Sequence, residues 1–230
     1  MSFWVRDLFF GLLGFLVLRP KYLRNRLFDL GEVASFQSFV EHFFGPRNYF
    51  KSRNSLRATI LPEISTGSCR VYEFGVASGD SARWLKKRVN NPDFSYHGWD
   101  TFTGLPSDWV RNGLIYRSQG FFDNGGNVPT LNDKRFFFHK GLIEDKLESI
   151  RESLSFNGLK VFLFDFDLYD PSSLIWDEIL PYLKSNDLIY FDEAFDSNHE
   201  RKLILEKIIP NQEQYAYVGN TTIALLLRKR

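Results

Sequence analysis

Short apolar segments alternate with amphipathic segments from residue 70 onward, and this alternation limits the folds that the chain can adopt. An apolar run of this length predicts a strand that is buried on both faces, and an amphipathic segment predicts a helix that covers one face of a sheet. Five apolar runs lie at 70–76, 95–100, 135–139, 160–165 and 187–192. Helix-like segments lie between or after them at 81–89, 144–153, 172–183 and 199–208. The pattern predicts an α/β fold with a parallel sheet flanked by helices.

The carboxyl terminus departs from this alternation. Two further apolar runs, 214–218 and 222–227, are separated only by Gly219, Asn220 and Thr221. So short a connection allows an antiparallel hairpin and leaves no room for a crossover helix. The sequence therefore predicts five parallel strands that are closed by an antiparallel hairpin.

The first 60 residues have a helical pattern and predict an N-terminal helical segment, 1–60, ahead of a sheet domain at 61–230. Phe36, Phe39 and Val40 recur at helical spacing, and a break follows at Gly45.

An uncharged apolar run at 8–18 lies within this segment and is followed by basic residues. A bilayer span needs about 20 apolar residues, so the run is too short to cross a membrane. A helix over 3–18 could pack on the domain or on a partner chain. Alternatively, 3–26 could lie in a membrane interface with its basic residues on anionic headgroups. Both interpretations stay open.

Composition excludes some classes of function. The 230 residues are 43% hydrophobic, which is enough for one domain with a sizeable core. The formal net charge of +1 gives no indication of a nucleic-acid partner, which would favour a basic surplus. Cys69 is the sole cysteine, so the chain has no intrachain disulfide and no cysteine metal cluster. We expect a cytoplasmic protein, with membrane association as the alternative.

A glycine-containing turn follows the first apolar run, in the sequence VYEFGVASG at 71–79. Gly75 and Gly79 permit a tight turn with a close backbone approach, and Asp80 or Ser81 can cap the following helix. Ligands of open α/β sheets bind at the carboxyl ends of the strands. The turn is therefore a candidate ligand-binding loop, although an ordinary strand-turn-helix connection has the same features.

Two features of this loop distinguish between cofactors. A dinucleotide-binding loop has a middle glycine where the backbone meets the pyrophosphate, and Val76 and Ala77 occupy that region here. Glu73 adds a carboxylate that would repel a pyrophosphate and attract an ammonium group. These residues disfavour a nicotinamide dinucleotide and favour a ligand with an ammonium group, such as S-adenosylmethionine.

Asp100 ends the second apolar run, 21 residues beyond Gly79. An acidic residue at this position can accept hydrogen bonds from both hydroxyls of a ribose. An isolated acidic residue after a strand is more commonly a helix cap, but its position relative to the glycine loop favours the ribose interpretation.

Four carboxylates follow two later strands. Asp165 and Asp167 end the fourth run, and Asp192 and Glu193 end the fifth. Adjacent parallel strands would gather them at one sheet edge, where such a cluster is costly unless a cation neutralises it or protons are retained. Oxygen ligands without a His or Cys pattern favour Mg²⁺, Ca²⁺ or Mn²⁺ over Zn²⁺. Helix capping by Asp167 or Asp170 is the alternative, and both interpretations stay open.

Five stretches of the chain together resemble a known family. They are EFGVASG (73–79), HGWDTFTGLPSDW (97–109), HKGLIEDKL (139–147), FDFDLYDPS (164–172) and YFDEAF (190–195). They are similar to the macrocin O-methyltransferase family, which methylates sugar hydroxyls of natural products in a metal-dependent way. The resemblance covers 70 to about 205, and its DTFTGLP and DxDLY stretches are more specific than the glycine loop.

The resemblance implies a fold, a cofactor and roles for individual residues. The fold is the Rossmann-like class I methyltransferase sheet, and the cofactor is S-adenosylmethionine. Glu73, Gly75 and Gly79 would hold its methionine end, Asp100 its ribose, and Gly141 and Leu142 would lie near its adenine. The complete set that we predict for cofactor binding is Glu73, Gly75, Val76, Ala77, Gly79, Asp100, Thr101, Gly141 and Leu142.

The resemblance also implies a divalent cation, Mg²⁺, held by Asp165, Asp192 and Glu193. Asp167 would be a further ligand or the base. Many relatives have Asp-Asp where this chain has Asp192-Glu193, so the longer Glu193 side chain alters the expected geometry. We expect in-line transfer of a methyl group to a hydroxyl, with Asp165 or Asp167 as the catalytic base.

The predicted function is therefore metal-assisted O-methylation of a sugar or a glycosylated small molecule. The alternatives are a methyltransferase-fold scaffold that has lost catalysis and a nicotinamide-dependent oxidoreductase. The expected partner is a small-molecule or glycan substrate, without nucleic acid, and a second copy of the chain is a further candidate.

One long connection and two histidines complete the predicted site. The segment 104–134 is rich in aromatic residues and glycines and is more typical of a lid or substrate loop than of a linker. His139 and His199 lie near the predicted cofactor and acidic sites. We interpret both as structural, and keep His199 as a reserve base.

Overall fold

The computed structural model describes residues 21–46, 48–111 and 113–230, and of residues 21–25 only the backbone. Its strands in chain order are β1 (Cys69–Phe74), β2 (Phe94–Asp100), β3 (Trp109–Arg111), β4 (Leu114–Arg117), β5 (Phe136–Lys140), β6 (Leu159–Phe164), β7 (Leu188–Phe191), β8 (Tyr215–Asn220) and β9 (Leu225–Lys229). Within the described residues, seven of them form one sheet in the order β5-β2-β1-β6-β7-β9-β8. The strands β3 and β4 pair separately as an antiparallel hairpin.

The sheet has the predicted topology. The pairs β2–β5, β1–β2, β1–β6 and β6–β7 are parallel, whereas β9 runs antiparallel to both β7 and β8. The parallel strands are aligned in register, since Phe74 lies opposite both Trp99 and Phe164, and Phe164 lies opposite Phe191. The loops after β1, β2, β6 and β7 therefore emerge side by side at one edge.

The helices are α1 (Lys21–Phe44), α2 (Arg53–Arg57), α3 (Leu61–Ile64), α4 (Asp80–Lys86), α5 (Leu147–Leu154), α6 (Tyr169–Ile179) and α7 (Glu200–Leu203). Single helical turns of other types lie at Ala58–Ile60, Glu144–Lys146, Leu180–Tyr182, Ile204–Ile208 and Ile209–Gln214. Each helix-like segment of the sequence thus contains a helix, although the last one is broken into short turns. The break at Gly45 is also present, where a φ of 85° ends α1.

The two faces of the sheet carry separate hydrophobic cores. Phe36, Phe39 and Val40 of α1 are buried in one core, together with Trp176 of α6. Residues of α2 and α3 are buried in the other core, against the opposite face of β1 and β6. Burial of each large side chain stabilises the fold by about 1.5–3 kcal/mol. The first helices are thus fixed to the sheet, while the division of the chain at residue 60 stays a prediction.

No helix among the described residues is long and apolar enough to cross a membrane. The apolar run at 8–18 lies outside the described residues. Both interpretations of 3–26, as a packing helix and as a membrane-interface helix, stay predictions.

Candidate active site

A cavity of about 980 Å³ opens where the parallel strands end. Most of the predicted site residues line it: Gly75, Val76, Ala77, Asp100, Thr101, Gly141, Leu142, Asp165, Asp167, Asp192 and Glu193. Glu73 and Gly79 are not part of its wall. The volume lies at the upper end of the range for small-molecule sites.

The loop after β1 has a backbone that only glycine can adopt at its first position. Gly75 has a φ of 93°, and a Cβ there would collide with the carbonyl oxygen of Asp165. Ala77 also has a positive φ, of 45°. The loop therefore lies against the end of β6, and its backbone forms part of the cavity wall.

Asp100 holds this loop from the end of β2. Its Oδ2 accepts hydrogen bonds from the backbone N–H groups of Val76, at 2.7 Å, and Ala77, at 2.8 Å. Its Oδ1 accepts a third, from Phe102 N–H at 2.6 Å. A carboxylate has about four acceptor positions, so these bonds leave it capacity for a ligand hydroxyl. Asp100 therefore organises the loop as well as facing the cavity.

Glu73 lies below the loop, where it is 1% exposed. The hydroxyl of Tyr96 donates to its carboxylate, and Ser81 bonds to it as well. Burial raises the pKa of Glu73 to about 7. The Glu73 side chain is enclosed by protein and does not line the cavity, and its predicted contact with a cofactor ammonium stays a prediction.

Gly79 lies in the predicted turn but does not line the cavity, and its role in cofactor binding stays a prediction. It precedes α4 with a φ of 85°, and a Cβ there would lie 2.9 Å from the ring of Pro129. The glycine is thus needed for the turn and for packing of the long loop, and not as a wall of the cavity.

The four predicted carboxylates line the cavity, and a fifth, which is not part of its wall, bonds to the backbone of one of them. Glu200 of α7 is fully buried, and its Oε2 accepts from the backbone N–H of Glu193 at 2.9 Å. Its Oε1 has no hydrogen-bond partner among the described residues. We call these five side chains the acidic cluster: Asp165, Asp167, Asp192, Glu193 and Glu200.

Burial is the main cause of the raised pKa values in the acidic cluster, and the charge of Asp192 adds to it. The pKa values of Asp165, Glu193 and Glu200 are raised well above the ordinary range. Asp167 differs in having a pKa raised to about 8. It is 8% exposed and has a left-handed backbone, with a φ of 62°. Such strained conformations concentrate at functional sites.

Two arginines of α2 contact the acidic cluster. Arg57 Nη2 lies 2.7 Å from Asp192 Oδ1, and Arg53 bonds to Asp192 Oδ2. Arg53 Nη1 also lies 3.6 Å from Glu193 Oε1. The hydroxyl of Tyr190 donates to Asp192 Oδ1 at 2.8 Å. Both oxygens of Asp192 are therefore engaged by protein donors.

Solved structures match this fold, whereas no protein-family model and no curated protein matches the sequence. A crystal structure of CalS11, a calicheamicin methyltransferase, matches with a TM-score of 0.55 at 19% identity, over 76% of both chains. An apo structure of CalS11, described as a TDP-rhamnose 3′-O-methyltransferase, matches at 0.50 and 21%, over 76% of this chain and 77% of that one. The O-methyltransferase NovP matches at 0.54 and 15%, over 76% and 78%. The chain has a Rossmann-like methyltransferase fold.

At this level of identity the methyltransferase fold is shared, and the resemblance to the macrocin family stays a prediction. The fold accounts for the place of the cavity, since ligands of open α/β sheets bind beyond the carboxyl ends of the strands. Each site residue of this chain is therefore assigned from its own contacts.

The donor set does not fit a divalent cation as it is arranged. Among the residues that the structure describes, no group of three or more His, Cys, Asp and Glu side chains could hold a metal ion. In the predicted set of Asp165, Asp192 and Glu193, the guanidinium groups of Arg53 and Arg57 lie where a cation would have to approach Asp192. We therefore assign no chemical step to a metal.

The long connection between β2 and β5 forms part of the cavity wall. The indole N–H of Trp109 donates to Asp196 Oδ2 at 2.8 Å, and Arg111 lies 3.1 Å from the same carboxylate oxygen. Trp109 also packs with Leu105 and Leu168 in a small core of its own. Residues of this segment thus line the cavity, and its interpretation as a substrate loop stays a prediction.

His199 is not free to act as a base. Its Nδ1 accepts from the backbone N–H of Tyr169 at 3.0 Å, so its Nε2 must carry the proton that is shared with the carbonyl of Val110 at 2.8 Å. Both ring nitrogens are occupied, and the residue joins α6 to β3. His139 stacks on Trp99, with 4.6 Å between the ring centroids, and does not line the cavity.

Three residues of the site were not predicted from the sequence: Arg53, Arg57 and Glu200. Arg53 and Arg57 are four apart, which predicts one helix face but no contact partner. Glu200 has the pattern of a polar residue at a helix start, and its burial depends on packing of α7 under β7. Only the three-dimensional arrangement brings these charges together.

Proposed function

We propose that the protein is an S-adenosylmethionine-dependent methyltransferase that methylates a hydroxyl group of a sugar or of a glycosylated small molecule. The observation that carries the proposal is a single cavity that joins the glycine loop and Asp100 to the buried carboxyl of Asp167. The names of CalS11 and NovP, both O-methyltransferases, support the same chemistry.

The cofactor side of the cavity suits S-adenosylmethionine. Gly75 has no side chain, so the loop can pack closely against the backbone of Asp165 at the end of β6. Asp100 lines the cavity and can accept hydrogen bonds from ribose hydroxyls. The acidic lining favours a ligand that carries positive charge. When bound, S-adenosylmethionine supplies an electrophilic methyl group on a sulfonium.

Asp167 is the best-placed base. A hydroxyl is a weak nucleophile until its proton is removed, and a base is most effective when its pKa lies near the working pH. Asp167, with a pKa of about 8, can accept the hydroxyl proton as the oxygen–methyl bond forms and the methyl–sulfur bond breaks. Its left-handed backbone points the carboxyl into the cavity. Asp165, which also lines the cavity and whose pKa burial raises well above its ordinary value, is the other candidate.

The acceptor side is aromatic. Trp109, Tyr116 and Phe122 line the same cavity as the acidic residues. Rigid aromatic surfaces next to a few polar groups bind ligands that present both apolar faces and hydroxyls, as sugar rings do. This wall is the reason for proposing a sugar acceptor.

The experiment is a transfer assay with labelled methyl groups. Purified protein is incubated with S-adenosylmethionine and a panel of free sugars, nucleotide sugars and glycosylated natural products. We expect label in a sugar ether, with kcat rising about tenfold per pH unit below pH 8 as Asp167 loses its proton.

The matched variants are Asp167→Asn and Asp165→Asn. We expect Asp167→Asn to abolish nearly all turnover and to leave cofactor affinity within a few-fold. Retention of full turnover by Asp167→Asn would contradict the assignment of the base. Cofactor binding without transfer to any acceptor would favour a scaffold that has lost catalysis.

A further inference from the structure

The side chains of Arg53 and Arg57 reach the acidic cluster from outside the strands that carry it. They lie four apart on α2, so both guanidinium groups project from one face of the helix. Both contact the same carboxylate, Asp192, one through each oxygen. The position of α2 thus determines both ion pairs with Asp192.

The helix that carries them is firmly held. Ser52 and Ser55 form a capping box at its start, in which each hydroxyl bonds to the other residue's backbone. Leu56 is fully buried in the core beneath the sheet, and Ile60 follows it there. The arginines are therefore placed by a fixed segment of backbone.

Arg57 has further partners within the protein. Its Nη1 donates to Ser81 Oγ at 3.0 Å, and its guanidinium lies 4.9 Å from the centre of the Tyr190 ring. Its side chain is only 13% exposed. Arg53 is 45% exposed, so it closes the cluster on the solvent side.

The charges explain why both arginines are needed. Four carboxyl groups that line one cavity, with a fifth buried next to them, repel one another unless positive charge or protons compensate them. Two guanidinium groups provide two positive charges at fixed positions, and each has several N–H donors suited to carboxylates. A divalent cation would supply a similar charge, but it would need carboxylate oxygens that these donors already occupy.

We propose that Arg53 and Arg57 are built-in counter-cations that take the place of a divalent cation in the acidic cluster. They are positioning residues, because they hold Asp192 and Glu193 and do not touch the reacting atoms. The wild-type cluster then has little affinity for Mg²⁺ or Mn²⁺, and removal of the arginine charge creates a cation site. This inference concerns the same cavity as the proposed function but does not require methyl transfer.

The experiment measures binding of Mn²⁺ alone, by electron paramagnetic resonance of the free ion, with Mg²⁺ as competitor. It compares the wild type with two double variants, Arg53→Gln/Arg57→Gln and Arg53→Lys/Arg57→Lys. The lysine variant retains the positive charge and is the matched control. We expect the glutamine variant to bind one Mn²⁺ at least about tenfold more tightly than either the wild type or the lysine variant.

Two results would overturn the inference: wild-type Mn²⁺ binding as tight as that of the glutamine variant, or an equal gain in the lysine variant. Circular dichroism and thermal unfolding check the folding of each protein. Should the double glutamine variant fail to fold, the single Arg53→Gln variant, at the more exposed position, gives the same comparison with Arg53→Lys. Neither cofactor nor acceptor takes part in the Mn²⁺ measurement, so its failure is distinguishable from failure of the proposed methyl transfer.

Discussion

Replacement of Asp167 by asparagine should stabilise the protein in a pH-dependent way. The folded protein holds the pKa of Asp167 at about 8, because the side chain is buried and lies near Asp192 and Asp196. In the unfolded chain the same carboxyl has a pKa of about 4. Asparagine is nearly the same size and tolerates the left-handed backbone at this position, so the change removes a charge without adding strain.

The sign follows from proton binding. Between pH of about 4 and about 8 the folded state binds more protons than the unfolded state, so wild-type stability falls as the pH rises. One proton corresponds to about 1.4 kcal/mol per pH unit. We therefore expect the stability advantage of Asp167→Asn to grow by up to about 1.4 kcal/mol per pH unit within that window. Below the window, where both proteins are neutral at this position, the advantage should vanish.

The assay is urea unfolding of both proteins at several pH values from 4 to 8. Asp145→Asn is the control, since Asp145 is exposed and lies outside the cavity. A difference in unfolding free energy between the wild type and Asp167→Asn that stays constant with pH would refute the reasoning. Loss of activity together with a gain in stability is the combination expected of a catalytic base.

Three other changes test the structural assignments. Gly75→Ala should destabilise the fold by about 1–3 kcal/mol or more and abolish S-adenosylmethionine binding, because the new Cβ collides with β6. Gly31→Ala is the control, because Gly31 lies in α1 with no atom near the added Cβ, and it should be neutral or stabilising by up to about 1 kcal/mol. Equal effects of the two changes in thermal unfolding would contradict the close packing assigned to Gly75. Trp109→Phe removes the hydrogen bond to Asp196 and should lower the free energy of unfolding in urea by about 1–3 kcal/mol. An unchanged free energy of unfolding would show that this bond does not hold the long loop in place. Asp100→Asn should weaken S-adenosylmethionine binding about tenfold in calorimetry, since an amide nitrogen replaces an acceptor of two backbone N–H groups, and unchanged affinity would refute that role.

Much of the fold follows from periodicity. Fully buried parallel strands require apolar residues on both faces, so β1, β6 and β7 are evident from their composition. The short connection between the last two strands, which the structure places at 221–224, likewise determines that β8 and β9 pair antiparallel. The hairpin of β3 and β4 was not predicted, because its strands are short and β3 is held by contacts with the loop before α7 and with Asp29 of α1.

The candidate site was predictable only in part. Strand ends locate Asp100, Asp167 and Asp192, because parallel strands bring their carboxyl ends to one edge. The direction of each side chain depends on packing, which is why Glu73 points into protein instead of into the cavity. The contact of Arg53 with Asp192 spans 139 residues and has no local signature in the sequence.

Isothermal titration with S-adenosylmethionine is the most direct test of the central claim, that the cavity beyond β1 and β2 is a methyltransferase cofactor site. We expect one molecule to bind per chain, with binding lost in Gly75→Ala and retained in Gly31→Ala. NAD, titrated in the same way, should give no heat of binding. Binding of NAD, or no binding of S-adenosylmethionine by the folded wild type, would contradict the account.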